Sequence, residues 1–171
     1  MQPLVPFSLP ISGLRDELHT FRFEVDEEFF KCFEGSVIQQ GKLEVLLDLD
    51  KRPNLMVLHF RFKGTVRAEC DRCLEVFDLP IEDEQDLVVK FDIEPREDAE
   101  VIYILRETPS LDVAKYVYEF IHLALPMHLT HDQAGLTCNP EMLRFIQQSE
   151  PHEEEEKPDS PWSELENWND N

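Results

Sequence analysis

From residue 20 to residue 105 apolar side chains return at every second position, in run after run. Phe21, Phe23 and Val25 share one face of residues 20–26, and Leu43, Val45, Leu47 and Leu49 share one face of residues 42–49. Leu58, Phe60 and Phe62 do the same in the long run 55–70, where Gly64 reads as a bulge. Residues 74–81 align Phe77, Leu79 and Ile81, and shorter runs follow at 87–93 and 101–105. A period of two makes half-buried strands. Only the short, ambiguous Glu27–Phe33 segment and turn-rich breaks separate these runs, so crossover helices have no room. The expected fold is α+β, with a mainly antiparallel sheet of about six strands.

Helical spacing appears only afterwards. Val113, Val117, Phe120, Ile121, Ala124 and Leu125 predict one main helix over 111–125, with Ser110 as N-cap and Pro126 as its stop. Residues 140–148 predict a short second helix that begins near Pro140. Residues 1–18, with three prolines, read as an extended arm, and residues 19–148 as a single domain. From 149 to 171 periodicity is lost in an acidic stretch too polar to order itself, expected as a flexible tail.

Charge narrows the function. The chain has 37 acidic and 16 basic residues, a formal net of −21. Residues 150–171 hold nine acids against Lys157 alone, and the other 149 residues hold 28 acids and 15 bases. Nucleic-acid affinity rests on Lys and Arg displacing counterions, so such a chain repels phosphate backbones and attracts basic proteins. Direct RNA binding would need a basic patch, for which Arg67, Arg72 and Lys90 are the candidates. With only five glycines there is no phosphate-binding glycine loop, and no hydrolase or metalloprotease motif occurs. Acid pairs such as Asp48 and Asp50 are expected by chance at this composition, and His19, His59 and His122 read as packed or solvated. A ribonuclease or other hydrolase would need a convergent carboxylate or histidine cluster in a cleft. No secretory leader or membrane-length apolar run is present, so the expectation is a cytoplasmic, non-enzymatic monomer with no membrane contact.

Cys70-Asp71-Arg72-Cys73 is the sharpest local motif. Two sulfurs three positions apart on a tight turn suit one tetrahedral metal ion. Two further ligands are then required, and Cys138 with His128 or His131 are the suppliers. A reduced pair that merely holds a turn fits the same residues, and a redox pair would need a helix N-terminus that this stretch lacks. Cys32, beside Phe29, Phe30 and Phe33, reads as a buried small apolar residue. In the tail, Trp162, Leu165 and Trp168 fall at i, i+3 and i+6. That stripe on an acidic tether reads as a segment that folds on a basic partner or docks back on its own domain.

The order of these features resembles the YceD family of large ribosomal RNA subunit accumulation proteins. The resemblance is carried by Cys70, Arg72, Cys73, Leu74 and Glu75, then by Leu125, Pro126 and Met127. It continues through His131, Asp132 and Cys138 to Pro161, Trp162 and Leu165. The tail departs from the family pattern, because acids rather than bases follow Trp162. The resemblance implies a factor that supports accumulation of large-subunit ribosomal RNA. Joined to the charge, it implies a basic ribosomal protein or assembly factor as partner. Cys70, Cys73, Cys138 and His131 are the zinc candidates, and Trp162, Leu165 and Trp168 the partner-binding candidates.

Overall fold

In the computed structural model, residues 4–98 and 101–148 are described. A 3-10 turn, Val5–Phe7, leads into β1 (Ser8–Leu9) and β2 (Leu18–Val25), followed by α1 (Glu27–Phe30). Three long strands come next: β3 (Gly41–Lys51), β4 (Leu55–Glu69) and β5 (Val76–Phe91). The short strands β6 (Arg96–Glu97), β7 (Val101–Ile104) and β8 (Leu111–Asp112) precede α2 (Ala114–Leu123). A second 3-10 turn, His131–Ala134, and α3 (Pro140–Gln148) complete the described chain.

The main sheet has six strands in the order β2-β3-β4-β5-β7-β6. Its faces follow from the alternation. Leu43, Val45, Leu47 and Leu49 of β3 are buried with Met56, Leu58, Phe60 and Phe62 of β4. On this face lie the helices, with the Phe60 and Phe120 rings 5.2 Å apart. The opposite face is charged, with Arg22 on Glu44, Arg61 on Asp48 and Lys63 on Glu82 at 2.6–3.0 Å. Exposed pairs of this kind contribute at most about 1 kcal/mol each. The buried phenylalanines dominate, at about 3–5 kcal/mol lost on truncation to alanine.

Several expectations are corrected. The sheet is mixed rather than mainly antiparallel, because β7 pairs with β5 in parallel. The chain leaves β5 and runs back along the outer edge as β6. It then turns antiparallel into β7, which fills the gap between β6 and β5. Arg96 fixes the excursion: its guanidinium lies 3.7 Å from the centre of the Tyr103 ring and 3.0 Å from Asp92. The runs expected at 74–81 and 87–93 merge into one strand, β5 (Val76–Phe91), which β4 carries across the acidic interruption at 82–86. There, Asp83 and Gln85 replace apolar residues on the helix side, and the Gln85 amide donates to Asp83 at 2.8 Å.

Gly64 is not at a bulge, since it pairs in unbroken register with Leu43 and Ile81. It is needed because a Cβ there would meet the backbone oxygen of Lys42 and lie 2.6 Å from Leu43 Cα. The main helix starts at Ala114 rather than 111 and ends at Leu123, before Pro126. Leu111 and Asp112 are instead taken into a two-residue ladder with Leu9 and Ser8. The N-cap position is therefore Val113 and not Ser110, and the Asp112 carboxylate just before it accepts from Ala114 N–H at 2.9 Å. The same ladder draws the N-terminal segment into the core, where Phe7, Leu9 and Ile11 are buried and Phe7 stacks on Phe23 at 5.0 Å. Cys32 is exposed, because Phe29 and Phe30 occupy the inward positions of α1. Trp162, Leu165 and Trp168, with the tail 149–171, lie outside the described residues.

Candidate metal centre

Four residues from two segments far apart in sequence meet at the end of the β4–β5 hairpin. Cys70 N–H donates to Glu75 O (3.0 Å) and Leu74 N–H to Cys70 O (2.8 Å), which closes the turn that carries Cys70 and Cys73. The second segment is shaped by its own sequence. Thr130 and Gln133 form a capping box around the His131–Ala134 turn, and Gly135, at φ 69°, ends it in the left-handed conformation. Leu136 N–H then returns to His131 O at 2.9 Å, which brings Cys138 back over His131.

Hydrogen bonds bind the two segments together. Asp71 N–H donates to Leu129 O (2.8 Å), and its carboxylate accepts from Leu129 N–H (2.7 Å). Arg72 donates to Asp132 at 2.6 Å, and Asn139 to Glu75 at 2.7 Å. The His131 ring packs 4.5 Å from that of Phe77, centre to centre. Nothing in the spacing of the motif marked Asp71 or Asn139 as the groups that hold the segments.

The ligating atoms of Cys70, Cys73, His131 and Cys138 all lie within 4.8 Å of one another. His128 does not join them; it is exposed, with Nδ1 4.0 Å from Asp71. Cys70 and Cys73 are buried. Cys70 Sγ is 3.7 Å from Cys138 Sγ, and His131 Nδ1 is 3.4 Å from Cys73 Sγ and 3.6 Å from Cys138 Sγ. Zinc–sulfur bonds of about 2.3 Å in a tetrahedron would set sulfurs about 3.8 Å apart. The donor set and its spacing are therefore compatible with a closed metal site. A disulfide needs sulfurs at about 2.05 Å, and all four cysteines are free thiols.

The electrostatics prepare the same chemistry. Burial pushes the Cys70 thiol up. The N–H groups of Cys73, Arg72 and His131 and the His131 ring outweigh burial and bring it down to about 6. Burial, hydrogen bonds to Cys70 and Cys73, and their negative charge raise Cys138 to about 11. One thiolate forms readily, and the next is opposed by it. A divalent cation would relieve that opposition.

Other sequence candidates do not converge. Arg67 pairs with Asp78 and Arg72 with Asp132. Lys90 stands opposite Leu55 and Arg67 opposite Asp78, at the two ends of the β4–β5 ladder. The twelve steps from Leu55 to Arg67 along β4 span about 40 Å at the strand rise. Ser36 Oγ lies 3.4 Å from His122 Nε2, but the hydroxyl donates to Ile38 O, so this pair is no activated nucleophile. No helix of the described residues is long and apolar enough to cross a membrane.

Fold and site define a small α+β domain, its main mixed sheet covered on one face, with a Cys3His knuckle at its hairpin end. The family model for large ribosomal RNA subunit accumulation protein YceD matches residues 58–168, from β4 through the tryptophan segment. The chain belongs to that family. No curated protein and no solved structure gives a match.

Proposed function

We propose that this protein is a non-enzymatic factor of large-subunit ribosome biogenesis. It holds a basic ribosomal protein or assembly factor and shields it from premature contact with RNA. The observation that carries the reading is charge: 37 acids against 16 bases, in a member of a family named for accumulation of large ribosomal RNA. A chain so acidic disfavours phosphate contact and favours a cationic protein. The separation and pairing of Arg67, Arg72 and Lys90 further support a protein partner over RNA. In this reading Cys70, Cys73, His131 and Cys138 hold one structural zinc ion that staples residues 129–139 to the hairpin. Trp162, Leu165 and Trp168 supply apolar anchors from the tail. The setting is the cytoplasm, and the factor acts as a monomer.

Two measurements test the reading. The tagged full chain should recover a ribosomal protein or assembly factor from lysate, and a Trp162→Ala/Trp168→Ala variant should recover less. Recovery of neither class by the intact chain sinks the proposal. Elemental analysis should give one zinc per chain, lost in Cys70→Ser; a metal-free native chain would remove the staple.

A further inference from the structure

The knuckle places a large apolar side chain where the backbone disfavours one. Leu74, the residue after Cys73, is the only described non-glycine residue with positive φ, at 60°. Glycine would take this conformation without strain. Burial does not offset the strain, because Leu74 is 60% exposed. A strained position that displays rather than packs its side chain points to a use outside the fold.

Two further apolar side chains stand exposed on the stretch 127–139 that carries His131 and Cys138. They are Met127 (96%) and Leu136 (48%). The bonds between Asp71 and Leu129 and between Glu75 and Asn139 hold this stretch beside the knuckle. An exposed apolar side chain ringed by charge has the anatomy of an interface anchor. The charge around the knuckle is acidic: Asp71, Glu75 and Asp132 against Arg72, which already pairs with Asp132, and His128, 4.0 Å from Asp71.

We propose that the knuckle face is the domain's docking surface for a lysine- or arginine-rich polypeptide segment, with Leu74 as the apolar anchor. The proposal rests on the reading that the partner is a basic protein, and it locates that partner on the domain. Charge complementarity chooses the occupant. Phosphates would be repelled by the rim, and a purely apolar segment would desolvate the carboxylates with nothing to compensate them. Basic side chains meet the rim while an apolar residue covers Leu74, the usual anatomy of an anchor ringed by polar contacts.

The test uses the full chain, a fluorescent amphipathic Lys/Leu peptide and its Glu/Leu counterpart, read by anisotropy at about 0.15 M salt, where long-range attraction is screened. Leu74→Gly and Leu74→Asn both suit a positive φ, so melting should be unchanged or raised. The wild type should bind the Lys/Leu peptide and not the Glu/Leu peptide. Both variants should weaken binding at least tenfold. Equal binding by the variants overturns the docking site and leaves a basic partner held elsewhere. Equal binding of both peptides, or of neither, overturns the proposal outright, while the lysate experiment still decides the broader reading. Binding of a structured ribosomal RNA fragment that Leu74→Gly abolishes would assign the surface to RNA and overturn it too.

Discussion

At the scale of single residues, two positions show how much the sheet depends on local detail. Gly64 lies where β3 crosses so close that no Cβ fits. Gly64→Ala must push β4 away from Leu43 and disturb the long β3–β4 ladder. The expected cost is about 2–4 kcal/mol by urea denaturation, in the range of backbone-strain substitutions. Asp48 is the second. Its carboxylate accepts from Thr20 and Arg61, both at 2.6 Å. The Thr20 hydroxyl first, then Arg61, hold its pKa below the ordinary 3.8, against the opposing effect of burial. A carboxyl with a lowered native pKa stabilises the fold above its unfolded pKa, and that gain disappears as pH falls through the native one. Wild type should therefore exceed Asp48→Asn in stability by a constant margin above about pH 5, and the margin should shrink below about pH 4. A margin that grows on acidification would contradict the assigned bonds. His131 carried a different lesson. Its residue type made it a candidate ligand, but its place in the cluster ahead of His128 is set by the turn that Thr130 caps and Gly135 ends.

At the scale of elements, the legible parts were those with a repeating period. β2, β3 and β4 follow the alternation almost residue for residue, because each buries one face against the same core. The acidic middle of β5 hid its continuity, since Asp83 and Gln85 satisfy each other instead of alternating with apolars. Two-residue strands have no period to read, so β1, β6 and β8 were invisible, and with them the parallel pairing and the true start of α2. The four residues of the cluster were legible in the sequence, and the scaffold that brings them together was not. That scaffold makes a prediction. Residues 129–139 are held by a handful of hydrogen bonds and the cluster, while β3 and β4 share an unbroken ladder from Gly41 to Lys51. Chelation should release the first without the second. Hydrogen exchange should show residues 129–139 losing protection on treatment with a strong zinc chelator, with β3 and β4 unchanged. Global loss of protection would mean that the ion holds the whole fold.

At the scale of the molecule, charge is arranged as well as abundant. Arg22, Arg52, Arg61, Lys63, Arg67, Arg72, Arg96 and Lys115 each lie within 4.0 Å of a carboxylate, so much of the positive charge is cancelled locally. The surplus acids, which make the formal net −21, set the field that a partner meets at a distance. Such a field acts on encounter more than on the docked complex, because it guides approach over lengths of about 10 Å or more at low salt. Apolar contacts at Leu74 would act afterwards, on dissociation. The two contributions separate by ionic strength. For the partner recovered from lysate, or for the Lys/Leu peptide, stopped-flow mixing should show association slowing more than about tenfold between about 0.05 and 0.5 M salt. Dissociation should change by less than about threefold over the same range and rise instead in Leu74→Gly. If salt acted mainly on dissociation, the acids would be direct contact residues in the complex, and the division between steering charge and apolar anchor would be wrong.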